Sequence, residues 1–210
     1  MTSPTTVLLV LHAVRLCGFA DAATLARRFD LDPAETDEVL GDVEAYGWVQ
    51  RSAFADVSGW SLTEAGRGED ERRLAAELAA TGRADDVCAA HREFLPLNAR
   101  VRRACTDWQL RPAPGARLLP NDHTDPAWDA AVLDELGAID DALAPLVRRL
   151  GDVLVRFDGY DDRFSTALRR ARAGESGWVD GIDVDSCHRV WFELHEDLVA
   201  TLGIDRRAEP

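Results

Sequence analysis

Apolar positions in the first third of the chain switch from a helical period to strand-like runs and back again. Residues Thr5 to Leu16 are apolar enough for a buried first helix, ended at Cys17 and Gly18, where glycine suits the position just past a helix. Asp21 can cap a second helix over Ala22 to Phe29, with Leu25 and Phe29 on one face. Asp32 before Pro33 supplies the N-cap and first-turn proline of a third helix. Val39, Leu40 and Val43 give that helix an inward stripe and leave Asp37, Glu38, Gly41 and Asp42 outward. Gly47 breaks it. WVQRSAF (48–54) and GWSLT (59–63) then predict two short strands joined by a loop at Ala55 to Ser58, and Thr63 opens the helix TEAGRGEDERRLAAELAATG.

Beyond Gly82 the pattern is almost purely helical. Asp85 or Asp86 can cap a helix through Phe94, Pro96 kinks it, and a second part runs through Arg103 to about Trp108. RPAPGARLLPNDHTDP (111–126) predicts a loop. A long amphipathic region from Trp128 to about Phe157 contains Pro145; a helix from Asp161 to Ala173, a glycine-containing turn and a last helix from Asp185 to Leu202 follow. Four or five helices suffice for an antiparallel bundle able to enclose a ligand. The expected fold class is mainly α, with an N-terminal domain at 1–82 and an all-α bundle at 83–210.

Charge alters what such a protein can bind. The chain of 210 residues carries a formal −14, and its 24 basic residues are all arginine, which removes lysine-nucleophile chemistry. Residues 1–80 hold 7 Arg against 14 carboxylates and residues 81–210 hold 17 against 24, so both parts oppose unassisted binding to nucleic acid or anionic lipid. The run VLLVLHAV is too short to cross a bilayer and has no basic stretch before it, so the expected location is cytoplasmic, with no membrane partner. Cys17, Cys88, Cys105 and Cys187 form no CxxC pair, which points to isolated buried thiols rather than a structural zinc site.

The element order over residues 5–80, with the phrase GWSLTEAGR and its L-T-x-x-G turn, resembles the winged-helix domains of bacterial regulators of the MarR and ArsR kind. The resemblance implies three helices plus a two-stranded wing, the third helix being the one that reads DNA. DNA-binding members of that kind place basic or amide side chains on the outer face of this helix and a basic residue at the wing tip. Here residues 31–47 contain Asp32, Glu35, Asp37, Glu38, Asp42 and Glu44 and no basic residue, while the wing offers Ala55, Asp56, Val57 and Ser58 with Arg51 at its base. A carboxylate near a phosphate costs about 1 kcal/mol at surface dielectric, before salt screening. A DNA-binding alternative has a symmetric dimer reach the duplex through Arg27, Arg28 and Arg51 with the acidic helix off the groove.

The bundle concentrates polar and aromatic residues in NDHTDPAWD (121–129) and DSCHRVWFELHEDL (185–198). At about 100° per residue His188 and His195 fall on nearly one face, with Trp191 and Phe192 between them and Cys187 one turn before Trp191. A candidate pocket takes its walls from Trp108, Trp128, Trp178 and Trp191, and its polar groups from Asn98, Asn121, Asp122, His123, Cys187, His188 and His195. The competing structural reading has Asn121 or Asp122 capping the following helix and the histidines satisfied in the core. His188 and His195 lie about 10 Å apart along a helix, too far for a shared metal, and Cys187 and His188 point about 100° apart, which opposes a nucleophile–base pair. Neither a metal nor a cofactor is expected, and no catalytic residue is assigned.

The reading that follows is a regulatory protein. Its winged-helix module serves protein recognition or dimerisation, and its bundle senses a small molecule or a protein partner. The alternatives are a MarR-like transcription regulator and an enzyme using the His, Asp and Cys cluster of the bundle.

Overall fold

The computed structural model describes residues 4–54, 57–113 and 117–204. It is mainly α-helical, with eight α-helices and two small two-stranded antiparallel sheets among those residues. The chain divides into two compact units, one comprising residues up to Gly82 and from Val199 onward, the other Arg83–Leu198. No helix among the described residues is long and apolar enough to cross a membrane.

In the first unit α1 (Pro4–Cys17), α2 (Ala22–Arg28) and α3 (Pro33–Ala45) precede β1 (Val49–Phe54), β2 (Val57–Leu62) and α4 (Glu64–Thr81). Local chemistry sets these boundaries as the pattern predicts. The Asp21 carboxylate accepts the Thr24 amide at 2.7 Å and that of Asp32 accepts Ala34 and Glu35 at 2.9 Å, satisfying helix-end donors that would otherwise be orphaned. Gly18, Gly47 and Gly82 take the left-handed conformation that ends helices. The inward stripe of α3 is buried together with Leu11, Val14, Leu25, Val49 and Trp60, at about 1.5–3 kcal/mol for each large side chain removed from water. Behind α1, buried Asp70 of α4 faces Arg15 at 3.3 Å and His12 at 3.5 Å, so its charge is not left alone in the interior.

Strands β1 and β2 pair antiparallel with Phe54 opposite Val57; the expected loop positions Ala55 and Asp56 lie outside the described residues, and β2 already includes Val57 and Ser58. Ala20, between α1 and α2, adds a bridge to Trp60 through hydrogen bonds of 2.8 and 3.3 Å. The L-T-x-x-G turn has a steric cause. Thr63 caps α4 by accepting the Gly66 amide at 3.0 Å while donating to the Gly47 carbonyl at 2.7 Å, and a Cβ on Gly66 would lie 1.8 Å from the Trp48 carbonyl oxygen.

The second unit holds α5 (Ala84–Gln109), β3 (Leu110–Ala113), β4 (Arg117–Pro120), α6 (Pro126–Gly151), a 3-10 turn at Val155–Phe157, α7 (Tyr160–Arg172) and α8 from Cys187. Four sequence expectations change. Helix α5 runs unbroken through Pro96 and starts after Arg83, with Asp85 and Asp86 in its first turn, where they favour the helix dipole without capping it. The expected loop at 111–126 contains the β3–β4 hairpin, which the prolines at 112 and 120 obscured. Helix α6 stops at Gly151, and the Asp158 carboxylate lies against its bare Cα. Helix α8 begins at Cys187 because the Ser186 hydroxyl, not Asp185, accepts the Arg189 amide at 3.2 Å; Asp185 instead pairs with Arg163.

The core of this unit contains Phe94, Leu136, Ile139, Leu143, Phe157, Phe164 and Leu194. Buried Arg156 is paired with Asp197, which also accepts the Tyr160 hydroxyl at 3.1 Å. Arg163 spans Asp185 and Glu193 at 2.6 and 2.8 Å.

Candidate functional site

The eleven candidate pocket residues do not converge on one place. Asn98, Trp191 and His195 form one group, where α5 meets α8. The Trp191 indole N–H donates to Asn98 Oδ1 at 3.0 Å, and its ring stacks on Phe94 at 4.7 Å and meets Phe164 edge-on at 5.8 Å. His195 lies 5.2 Å from the same Phe94 ring. Trp191 is 3% exposed, so its ring is packed core rather than a ligand wall, while Asn98 and His195 are half-buried beside it.

Trp108, Asn121, His123 and Trp128 form the second group, at the end of α5 and the entry to α6. Asp125, not Asn121 or Asp122, caps α6, accepting the Ala127 and Trp128 amides at 3.1 and 3.2 Å. Asp122 is spent locally: its carboxylate accepts Thr124 Oγ1 at 2.7 Å and lies 3.4 Å from Arg111, and these contacts, the Thr124 hydroxyl foremost, hold its carboxyl below the ordinary range. The Trp128 indole N–H donates to the Asp107 carbonyl at 2.7 Å, and the Trp108 ring centroid lies 4.6 Å from that of His123.

Counting hydrogens assigns the donor in the His123–Asp129 bond. Asn121 Oδ1 accepts the His123 amide at 3.2 Å, which fixes the orientation of the side-chain amide. The amide nitrogen has two hydrogens, and both have oxygen partners: the Trp108 carbonyl at 3.0 Å and Asp129 Oδ1 at 2.9 Å. Its 3.2 Å approach to His123 Nδ1 is therefore a contact and not a third donated bond. His123 Nδ1–H donates to Asp129 Oδ2 at 3.0 Å, so Nε2 is the ring nitrogen that Asp129 does not hold. The side chain is 44% exposed, and its backbone sits at φ +56, a left-handed conformation unusual for a residue with a Cβ. The outcome is a carboxylate-oriented imidazole on an indole face.

Cys187 and His188 occupy a third position, at the start of α8. Cys187 is fully buried, its amide donates to the Trp178 carbonyl at 3.0 Å, and burial pushes its thiol up to about 12, so it is not a thiolate nucleophile at neutral pH. His188 is exposed, although it shares a helical face with half-buried His195, because the two sit at different depths along α8. Trp178 is engaged by the Arg170 guanidinium at 4.0 Å. Among the described residues no group of three or more His, Cys, Asp or Glu has the arrangement of a metal site.

On the first unit, Glu35, Asp37, Glu38, Asp42 and Glu44 are all exposed on α3, and none makes an ion pair among the described residues. The arginines of the DNA-binding alternative are engaged nearby: Arg27 donates to Thr24 Oγ1 at 2.8 Å, Arg28 lies over Phe29 at 4.6 Å, and Arg51 is 5.7 Å from the Trp60 ring.

Sequence reasoning missed Asp129 as the partner of His123 and Phe94 as the ring between Trp191 and His195. The signal for Asp129 was present: after the Asp125–Pro126 helix start it falls in the first turn, facing back toward the loop. Nothing in the spacing of α5 and α8 announced Phe94. No family model, no curated protein and no solved structure matches this chain.

Proposed function

We propose that the protein is a regulator whose first unit is a winged helix used for protein recognition through α3, and whose second unit senses a ligand or partner at the His123–Asp129 site. Three helices followed by a two-stranded sheet, the Ala20 bridge that extends that sheet, and the L-T-x-x-G turn support the winged-helix reading, which resembles the MarR and ArsR kind. The observation that carries the functional reading is the outer face of α3, where Glu35, Asp37, Glu38, Asp42 and Glu44 face solvent without a counter-ion. Against phosphates spaced a few ångströms apart that face is repulsive, and against an arginine- or lysine-bearing protein surface it is attractive.

A mobility-shift assay with sheared genomic DNA at low salt tests this, since non-specific electrostatic binding is strongest there. The expected result is no shift. A shift removed by replacing Arg27, Arg28 and Arg51 with Ala overturns the protein-recognition reading in favour of a MarR-like DNA-binding regulator.

A further inference from the structure

The β3–β4 hairpin is amphipathic and uncovered. Its register places Leu110 opposite Pro120 and Pro112 opposite Leu118, so one face is wholly apolar; the other pairs Arg111 with Leu119 and ends at Arg117. Strand β4 is exposed along its length, with Leu118 at 58% and Leu119 at 51%. Two strands alone are marginal in water, and Leu118 and Leu119 leave an exposed leucine on each face of the hairpin. The hairpin strands carry arginine and no carboxylate, in a chain with a net charge of −14.

The charge pattern selects the occupant. Among the described residues α3 presents five exposed carboxylates without ion pairs, and it ends beside Tyr46, which is 70% exposed. We infer that the β3–β4 hairpin of one copy docks on the α3 face of a second copy through the face that carries Arg111, Leu119 and Arg117, with Leu119 against Tyr46 and the two arginines among the carboxylates. The contact joins two different surfaces, and each copy offers both. The inference rests on the reading of α3 as a protein-recognition face and names its partner as the chain itself.

Sedimentation equilibrium of the full chain tests it. The wild type is expected to dimerise, with an apparent Kd weakened about tenfold or more between about 50 and about 500 mM salt, as screening shortens the reach of the arginines. Arg117→Glu and the pair Glu35→Arg with Glu38→Arg each weaken the dimer to a similar extent, and combining them restores most of it. All these sites are exposed, so folding, checked by circular dichroism, is unchanged. A wild type that stays monomeric overturns the inference, as does a dimer indifferent to either set of changes. If Arg117→Glu weakens association while the α3 changes do not, the hairpin docks elsewhere and this inference fails, whereas the α3 reading falls only to the DNA shift described above. Hairpin variants that abolish DNA retention instead of dimerisation also overturn it.

Discussion

The Trp191 indole is held by Asn98 and the His123 imidazole by Asp129, but Trp191 is walled by Phe94 and Phe164 whereas the His123 side chain is 44% exposed. Both come from stretches that combine the same residue types. The difference lies in what supports them. Trp191 belongs to a helix buried on most sides, so its polar atom is a demand that Asn98 meets. His123 belongs to a loop between a hairpin and a helix cap, and the network around Asn121 is organised to aim the ring. A polar residue that packing requires and one that its surroundings orient cannot be told apart by composition.

The largest effect that separates the two is expected for Trp191→Ala, which removes a ring from closed core and costs the second unit about 3–5 kcal/mol in denaturant unfolding. A loss below about 1 kcal/mol would mean that the Trp191 site collapses easily and is not tight core. Asn98→Ala leaves the Trp191 indole N–H unsatisfied and is expected to cost about 1–3 kcal/mol by the same measurement. At the other group the comparison is between His123→Ala and His123→Gly: both lose the ring, but only alanine pays for φ +56, so glycine is expected to be more stable by about 1 kcal/mol. Equal stabilities would show that the left-handed backbone is not retained without the imidazole. The smallest change is Asp129→Asn, which is expected to leave the fold in place while the histidine nitrogen spectrum loses its single Nδ1-protonated tautomer. An unchanged spectrum would show that Asp129 does not set the tautomer.

Much of the first unit was legible in the sequence because its boundaries are made by single residues acting locally. Asp21, Asp32 and Thr63 cap helices, and Gly18, Gly47 and Gly82 end them, each by chemistry that needs no distant partner. In the second unit the decisive contacts are long-range. The β3–β4 hairpin pairs residues whose sequence looks like a proline loop, and Asp185 is drawn from the expected cap by Arg163. The candidate site was legible as a list of residues and not as a place, since helical periodicity puts Cys187, His188, Trp191 and His195 on one helix without fixing which neighbour each meets. Only the fold shows that His123 has Asp129 and Trp191 has Asn98.

The turn from Trp48 to Gly66 has a wider consequence for what likeness between sequences can carry. Thr63 and Gly66 hold their identities through a hydroxyl that must reach two carbonyls and a carbonyl that must meet a bare Cα. Neither demand involves the outward positions of α3, so the contacts that form this turn place no constraint on the side chains of that face. A likeness read from this turn therefore reports on backbone packing alone and is silent about what the exposed face of the third helix meets.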